Sequence, residues 1–174
     1  KKTFIDGQWV TAEFDIPTQM KKASALGVAP SLSQMFKICG LAETITASTK
    51  VEYKPGGAVN GSGQVKVFTD GYSKSLTGVA ANLKISGKIG EPLSATFAVK
   101  GFVGASAAVL EANPTVTLDT GTAPVVSKIS VLTVGGTSLQ ADSFDFDLGN
   151  IIQDVYAIGL SQYYFQDFDP TLKV

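Results

Sequence analysis

The sequence predicts a mainly β domain, a β-sandwich or set of curled antiparallel sheets, with one flanking α-helix. Three observations carry this. Asp70-Gly71 stands between two alternating runs, the strongest short-range hairpin signal. Period-two alternation of apolar and polar residues recurs along the chain. A single stretch, Leu32 to Cys39, has helical spacing. At 174 residues the chain suits one domain over residues 1–174, with no internal repeat or linker to divide it.

The elements follow in order. Trp9 to Ile16 alternates, with Val10, Ala12, Phe14 and Ile16 on one face and Trp9, Thr11, Glu13 and Asp15 on the other. Leu32, Met35, Phe36 and Cys39 fall at i, i+3, i+4 and i+7, an apolar stripe over about three turns of helix. Ser31 with Gln34 reads as a capping box, and Gly40 stands where a left-handed residue ends a helix. Cys39 then lies on the packed face as a small buried hydrophobe rather than a reactive thiol. Thr44 to Tyr53 alternates again, placing Ile45, Ala47, Thr49, Val51 and Tyr53 together. From Val65 to Val103 a meander is predicted, with turns at Asp70-Gly71, at Gly78 and at Gly90-Glu91-Pro92, closed by a strand holding Phe97 and Gly101. Ala105 to Ala112 is loop or short helix, and Leu118 to Val126 is a connecting loop. Gly135-Gly136 marks a further turn. One helix covers only part of one sheet face, so two sheets, or one curled sheet, must pack on each other.

Composition narrows the function classes. Charged residues make up 17% of the chain, against roughly 25% in ordinary soluble domains. With so little charge to cover the outside, either the sheet faces are buried against more protein than this chain supplies or the surface is unusually rich in Ser, Thr, Gly and Ala; no apolar run approaches the roughly 18 residues of a membrane-spanning helix, which favours another subunit over lipid as the missing cover. There is no His, no Arg and one Cys. The usual general base is therefore absent, and with it the Ser-His and Cys-His nucleophile pairs. No S-x-x-K motif marks a substitute. Lacking Arg, the chain has no bidentate clamp for phosphate and none for guanine in a major groove. The expectation is a protein that is not an enzyme, binds no cofactor and does not read DNA sequence.

Three blocks of sequence resemble one family. The first is D-G at Asp70-Gly71, L-x-G ending at Gly78, G-E-P at Gly90 to Pro92 and F-x-V-K-G from Phe97 to Gly101. The second, upstream, has Pro30, Leu32, Cys39-Gly40, Glu43-Thr44-Ile45-Thr46 and then Tyr53-x-Pro55. The third is the turn at Gly135-Gly136 followed by F-D-F-D-L-G-N from Phe144 to Asn150. In order and spacing, over roughly residues 25 to 170, these resemble the tail tube proteins (major tail proteins) of long-tailed bacteriophages. The resemblance implies a structural virion protein, assembled in the bacterial cytoplasm. Its partners would be further copies of itself, in hexameric rings whose inner strands join into a continuous β-barrel and which stack into a DNA conduit, together with tape-measure and other tail proteins. DNA would pass through without sequence-specific binding. Family members with this helix block carry a further region before it, and this chain opens on Lys1-Lys2 without Met. It therefore reads as a fragment lacking an N-terminal region.

Acidic pairs are the remaining candidates. In Phe144 to Leu148 the apolar residues share one face, while Asp145 and Asp147 share the other, about 7 Å apart along a strand. Asp167 and Asp169 repeat the arrangement. The spacing of an EF-hand with its distal Glu is missing, so a solvated face outweighs a metal site. The resemblance gives such a face a role, because carboxylates lining a bore would repel phosphate. Residues 1–100 hold 12 Lys and 7 acids, net +5, and residues 101–174 hold 2 Lys and 8 acids, net −6, together the −1 of the whole chain. Such asymmetry either pairs within the molecule or favours a head-to-tail contact. In the alternative reading the chain is a monomeric recognition module, carbohydrate-binding or adhesin-like. Trp9, Tyr72, Tyr156, Tyr163 and Tyr164 would then form an aromatic platform.

Overall fold

The computed structural model describes residues 11–56, 63–103, 109–115, 121–126, 132–157 and 160–174. Its elements are β1 (Thr11–Gln19), α1 (Ser33–Ile38), β2 (Leu41–Thr46), β3 (Lys50–Pro55), β4 (Gly63–Thr69), β5 (Tyr72–Lys88) and β6 (Ser94–Val103). These are followed by β7 (Val109–Leu110), β8 (Leu132–Val134), β9 (Thr137–Leu139), β10 (Ser143–Asp147), β11 (Asn150–Ala157), β12 (Leu160–Phe168) and β13 (Thr171–Lys173). The chain is mainly β, with antiparallel pairing throughout and one helix among the described residues. The main sheet runs β1-β6-β5-β10-β13, with β4 and β7 also paired to β5. Beside it stand the two-stranded sheets β2-β3, β8-β9 and β11-β12.

The register of the main sheet explains how one chain makes a dry face and a wet one. Ile16, Phe97 and Leu83 stand in one cross-strand row, and Phe14, Val99 and Ala81 in the next. Phe146 pairs with Ile85 on the same side. This face forms the core together with Phe36, Cys39 and Leu41. The Phe36 ring lies 5.8 Å from that of Phe97 and 4.8 Å from that of Tyr53. Phe97 is completely buried. Because side chains alternate with period two, the intervening rows point the other way. Those rows are Thr11, Phe102 and Thr77; Glu13, Lys100 and Ala80; Asp15, Ala98 and Asn82; Pro17, Thr96, Lys84, Asp147 and Thr171; and Gln19, Ser94, Ser86, Asp145 and Lys173.

Asp70 and Gly71 both have positive φ, 46° and 81°, and form the two-residue turn between β4 and β5. Positive φ at both positions matches the twist of a hairpin, which is why Asp-Gly serves there. Gly90 also has positive φ, in the turn leading to Pro92, which bridges to Val125. Gly135-Gly136 turns β8 into β9. On β6, a Cβ at Gly101 would come within 3.0 Å of Leu76 and Val79, so the absence of a side chain there lets β5 close onto β6.

Four sequence expectations need correction. Gly78 is not a turn. It lies inside the single 17-residue strand β5, at a β-bulge between Thr77 and Ala80, with φ of 59°. The bulge has a packing consequence: Leu76 and Val79 are an odd number of residues apart, yet both are buried in the core. The extra residue resets the alternation. Thr44 to Tyr53 is not one strand but the hairpin β2-β3, turned at Ser48 with φ of 55°, a turn without Gly or Pro to announce it. The helix is only six residues long, and its N-cap is Leu32, with no side-chain cap bond, rather than a Ser31–Gln34 capping box. Phe36 and Cys39 are buried, with Leu32 and Met35 packed half-buried against them, and Gly40 has the expected left-handed conformation. Asp169 lies beyond the end of β12, so it does not repeat with Asp167 the arrangement of Asp145 and Asp147.

Strand β1 alternates as expected, Ala12, Phe14 and Ile16 packing inward and Thr11, Glu13 and Asp15 outward. Trp9 and Val10 lie outside the described residues, as does the first half of Ala105 to Ala112. The described half of that stretch holds the short strand β7.

Candidate functional site

The wet face of the main sheet carries Asp145 and Asp147, and the structure surrounds them with opposite charge. Along β1, β6, β5, β10 and β13, four acids on this face, Glu13, Asp15, Asp145 and Asp147, are accompanied by four lysines, Lys84, Lys88, Lys100 and Lys173. Lys100 pairs with Glu13 at 2.9 Å, and Lys84 with Asp147 at 3.3 Å. Between them stand small polar groups, among them Ser86 and Ser94, joined hydroxyl to hydroxyl at 2.7 Å.

The two aspartates do different things. Asp145 is exposed. Asp147 is 31% exposed and occupied: it accepts from the Asn82 amide at 2.7 Å and from the Gly149 N–H at 2.9 Å. Burial pulls its carboxyl up, but the bonds from Asn82 and Gly149 and the Lys84 ammonium outweigh this and hold it below its ordinary value. Asn82 in turn accepts from the Asn150 N–H, and the Asn150 amide donates to the carbonyls of Cys39 and Ala81. Asp147 is therefore the anchor of the β10–β11 corner. Asp167 and Asp169 are exposed, and Asp167 accepts from the N–H of Phe168.

A second polar knot forms where the helix meets the β2-β3 hairpin. Glu43, its side chain only 10% exposed, accepts from Ser33 Oγ and from Tyr53 Oη at 2.6 Å, and pairs with Lys37 at 2.8 Å. The Lys37 ammonium and the two hydroxyls bring its carboxyl down to about 2. Burial leads a rise in the Tyr53 phenol, to which its bond to Glu43 adds. The sequence signal for this pair is their spacing. Glu43 and Tyr53 are the Glu and Tyr of the upstream block, and the structure makes them direct partners.

Beside this knot an apolar cleft of about 380 Å³ opens between the helix and the dry face. Met20, Leu32, Leu41, Ile85 and Phe146 are among the residues that line it, and the charged Lys21 joins them. Cys39 is buried away from solvent, and desolvation pushes its thiol up to about 12, so it is not a nucleophile. Among the described residues no group of three or more His, Cys, Asp and Glu side chains is placed to hold a metal, and no helix is long and apolar enough to cross a membrane.

Among the described residues the candidate aromatics do not gather. Tyr163 stacks on Phe102 at 4.5 Å, whereas Tyr164, the next residue on the strand, is exposed and bonds Gln153. Tyr72 is exposed at the start of β5, in a different sheet. Trp9 and the side chain of Tyr156 lie outside the described residues. Among the described residues two ion pairs, Lys66–Glu111 and Lys84–Asp147, join the basic and acidic halves of the chain, so part of the charge asymmetry is satisfied within the molecule. Comparison with protein-family models and with curated proteins gives no match to this chain.

Proposed function

We propose that the protein is a structural subunit of a phage tail tube, self-assembling into stacked rings that form a conduit for DNA. The observation that carries this is the main sheet. Among the described residues its end strands, β1 and β13, have no outer strand partner, and one of its faces is polar, small-featured and balanced in charge. Unpaired strand edges are templates for pairing with another chain. A wet face with as many lysines as acids would hold phosphate weakly, which is what DNA transit requires. The ordered sequence blocks support the same reading through their resemblance to tail tube proteins. In this reading hexameric rings, placement in the virion tail, assembly in the host cytoplasm and contact with a tape-measure protein follow from the resemblance.

The recognition-module reading draws less support, since Tyr163 is committed to Phe102 rather than to a platform. Negative-stain microscopy of the purified chain, with a mass measurement, tests the proposal. Rings or rods with a central hole are expected. A strict monomer at high concentration would count against the tube and in favour of the recognition module.

A further inference from the structure

The two ends of the main sheet carry opposite charge. At one end β1 presents Glu13 and Asp15 on the wet face and no lysine. At the other end β13 presents Lys173 on the same face and no acid. Neither strand has an outer strand partner among the described residues. Glu13 is already engaged by Lys100 at 2.9 Å. Asp15 and Lys173 are exposed, and among the described residues no ion pair engages either of them. Four strand spacings, roughly 19 Å, lie between the two ends, too far for these side chains to meet within one chain.

We infer that β13 of one copy pairs edge to edge with β1 of a second copy, in parallel, with Lys173 beside Asp15. Charge excludes the like pairings and admits the unlike one. An edge contact of β1 with β1 would bring Glu13 and Asp15 onto the same acids of the second copy, and β13 with β13 would bring lysine onto lysine. Direction follows from topology: all four pairings from β1 to β13 are antiparallel, so the first and fifth strands run the same way. Rotation about a ring axis preserves that sense, which makes the junction parallel and heterologous, the kind that repeats from copy to copy until it closes. Alternation limits the register, and the unengaged Asp15 selects within it. Odd-numbered residues of both strands lie on the wet face, so Lys173 beside Asp15 sets Leu172 beside Phe14 on the dry one. Leu172, 38% exposed in the single chain, gains apolar cover there. Because β13 has only three residues, one junction is weak, and ring closure, which gives every copy two junctions, supplies the remaining affinity. This inference names the edges by which copies meet and rests on the tube-subunit reading.

The test is zero-length carbodiimide coupling of assemblies formed from a mixture of ¹⁵N-labelled and unlabelled wild-type chains, followed by mass spectrometry. Expected is an amide cross-link between Asp15 and Lys173 that joins a labelled to an unlabelled peptide. In parallel, Lys173→Glu and Asp15→Lys should each raise the concentration for half-assembly about tenfold, since each turns an attraction into a repulsion. A chain carrying both substitutions reverses the pair and should assemble like the wild type. Circular dichroism of each variant checks that it is folded. Assembly that proceeds without the mixed-label link and is unchanged in both single variants would overturn the junction and leave the tube reading standing. A double variant no better than the singles would overturn the pairing of these two residues. A wild-type chain that stays monomeric at high concentration would overturn both the junction and the tube.

Discussion

The two faces of the main sheet divide stability from surface. The dry face, with Phe97, Val99, Leu83 and Ala81 against the helix, is buried to a few per cent or less, and each side chain lost there leaves a hole that neighbours cannot fill. The wet face uses the same strands and the same register, yet Glu13, Asp15 and Asp145 on it are exposed, and among the described residues only towards Thr77 is it covered, where Ala80 and Phe102 are buried and Tyr163 of β12 stacks on Phe102. At Asp147 a charged residue of the wet face becomes structural, because there the chain leaves the sheet and a carboxylate satisfies the Gly149 N–H at the corner. The lesson is that position on a strand says which face a residue serves, while its partners say whether that service is structural.

The largest effect that would break this contrast is at the centre of the dry face. Phe97→Ala should lower stability by about 3–5 kcal/mol in urea denaturation, as expected for a fully buried Phe. A loss below about 1 kcal/mol would mean the dry face is not the core. Next is Glu43→Gln, which keeps the shape but removes the charge that Lys37 pairs with. About 1–3 kcal/mol should be lost at neutral pH. Its pH dependence follows from the depressed carboxyl: Glu43 sits near 2 in the fold against an ordinary 4.5. Its contribution is fully present above about 4.5 and drains away as pH falls toward 2. Acid titration of the wild type should therefore show a steeper stability loss in that window than the Glu43→Gln variant, and identical slopes would refute the knot.

A smaller effect is expected at Gly78, where the bulge needs a positive φ. Gly78→Ala should cost on the order of 1–2 kcal/mol, measurable by thermal melting, because an L residue is strained in that conformation. No loss would mean the bulge can migrate along β5.

Smallest in stability, and most informative for function, is Asp145→Lys on the wet face. Stability should change by no more than about 0.5 kcal/mol, as for exposed positions. In an assembled tube, however, the new cation would repeat around the bore. DNA retention should then rise at low salt and fall as ionic strength increases. Asp147→Lys is not the equivalent test, since it would also break the Asn82 and Gly149 bonds. If Asp145→Lys blocks assembly instead, this part of the wet face is a subunit contact and not a lumen wall.

Much of this was legible in the residues themselves. Asp70-Gly71 specifies its turn because few dipeptides tolerate positive φ twice, and the Leu32 to Cys39 stripe finds its helix because apolar spacing reflects burial. The alternation of Ala12, Phe14 and Ile16 assigned their face for the same reason. The β2-β3 hairpin was not legible, because Ser48 adopts a left-handed conformation without being Gly. Nor was the role of Gly78, since a glycine marks a turn and a bulge alike. What only the tertiary structure decided is which polar residues meet. Glu43 finds Ser33 and Tyr53 ten residues away on either side, and Asp147 finds Asn82 sixty-five residues away across a sheet. Periodicity is a local property of the backbone and survives in the sequence. Partnership depends on strand order and register, which arise only when distant segments pair, and so it is written in the fold.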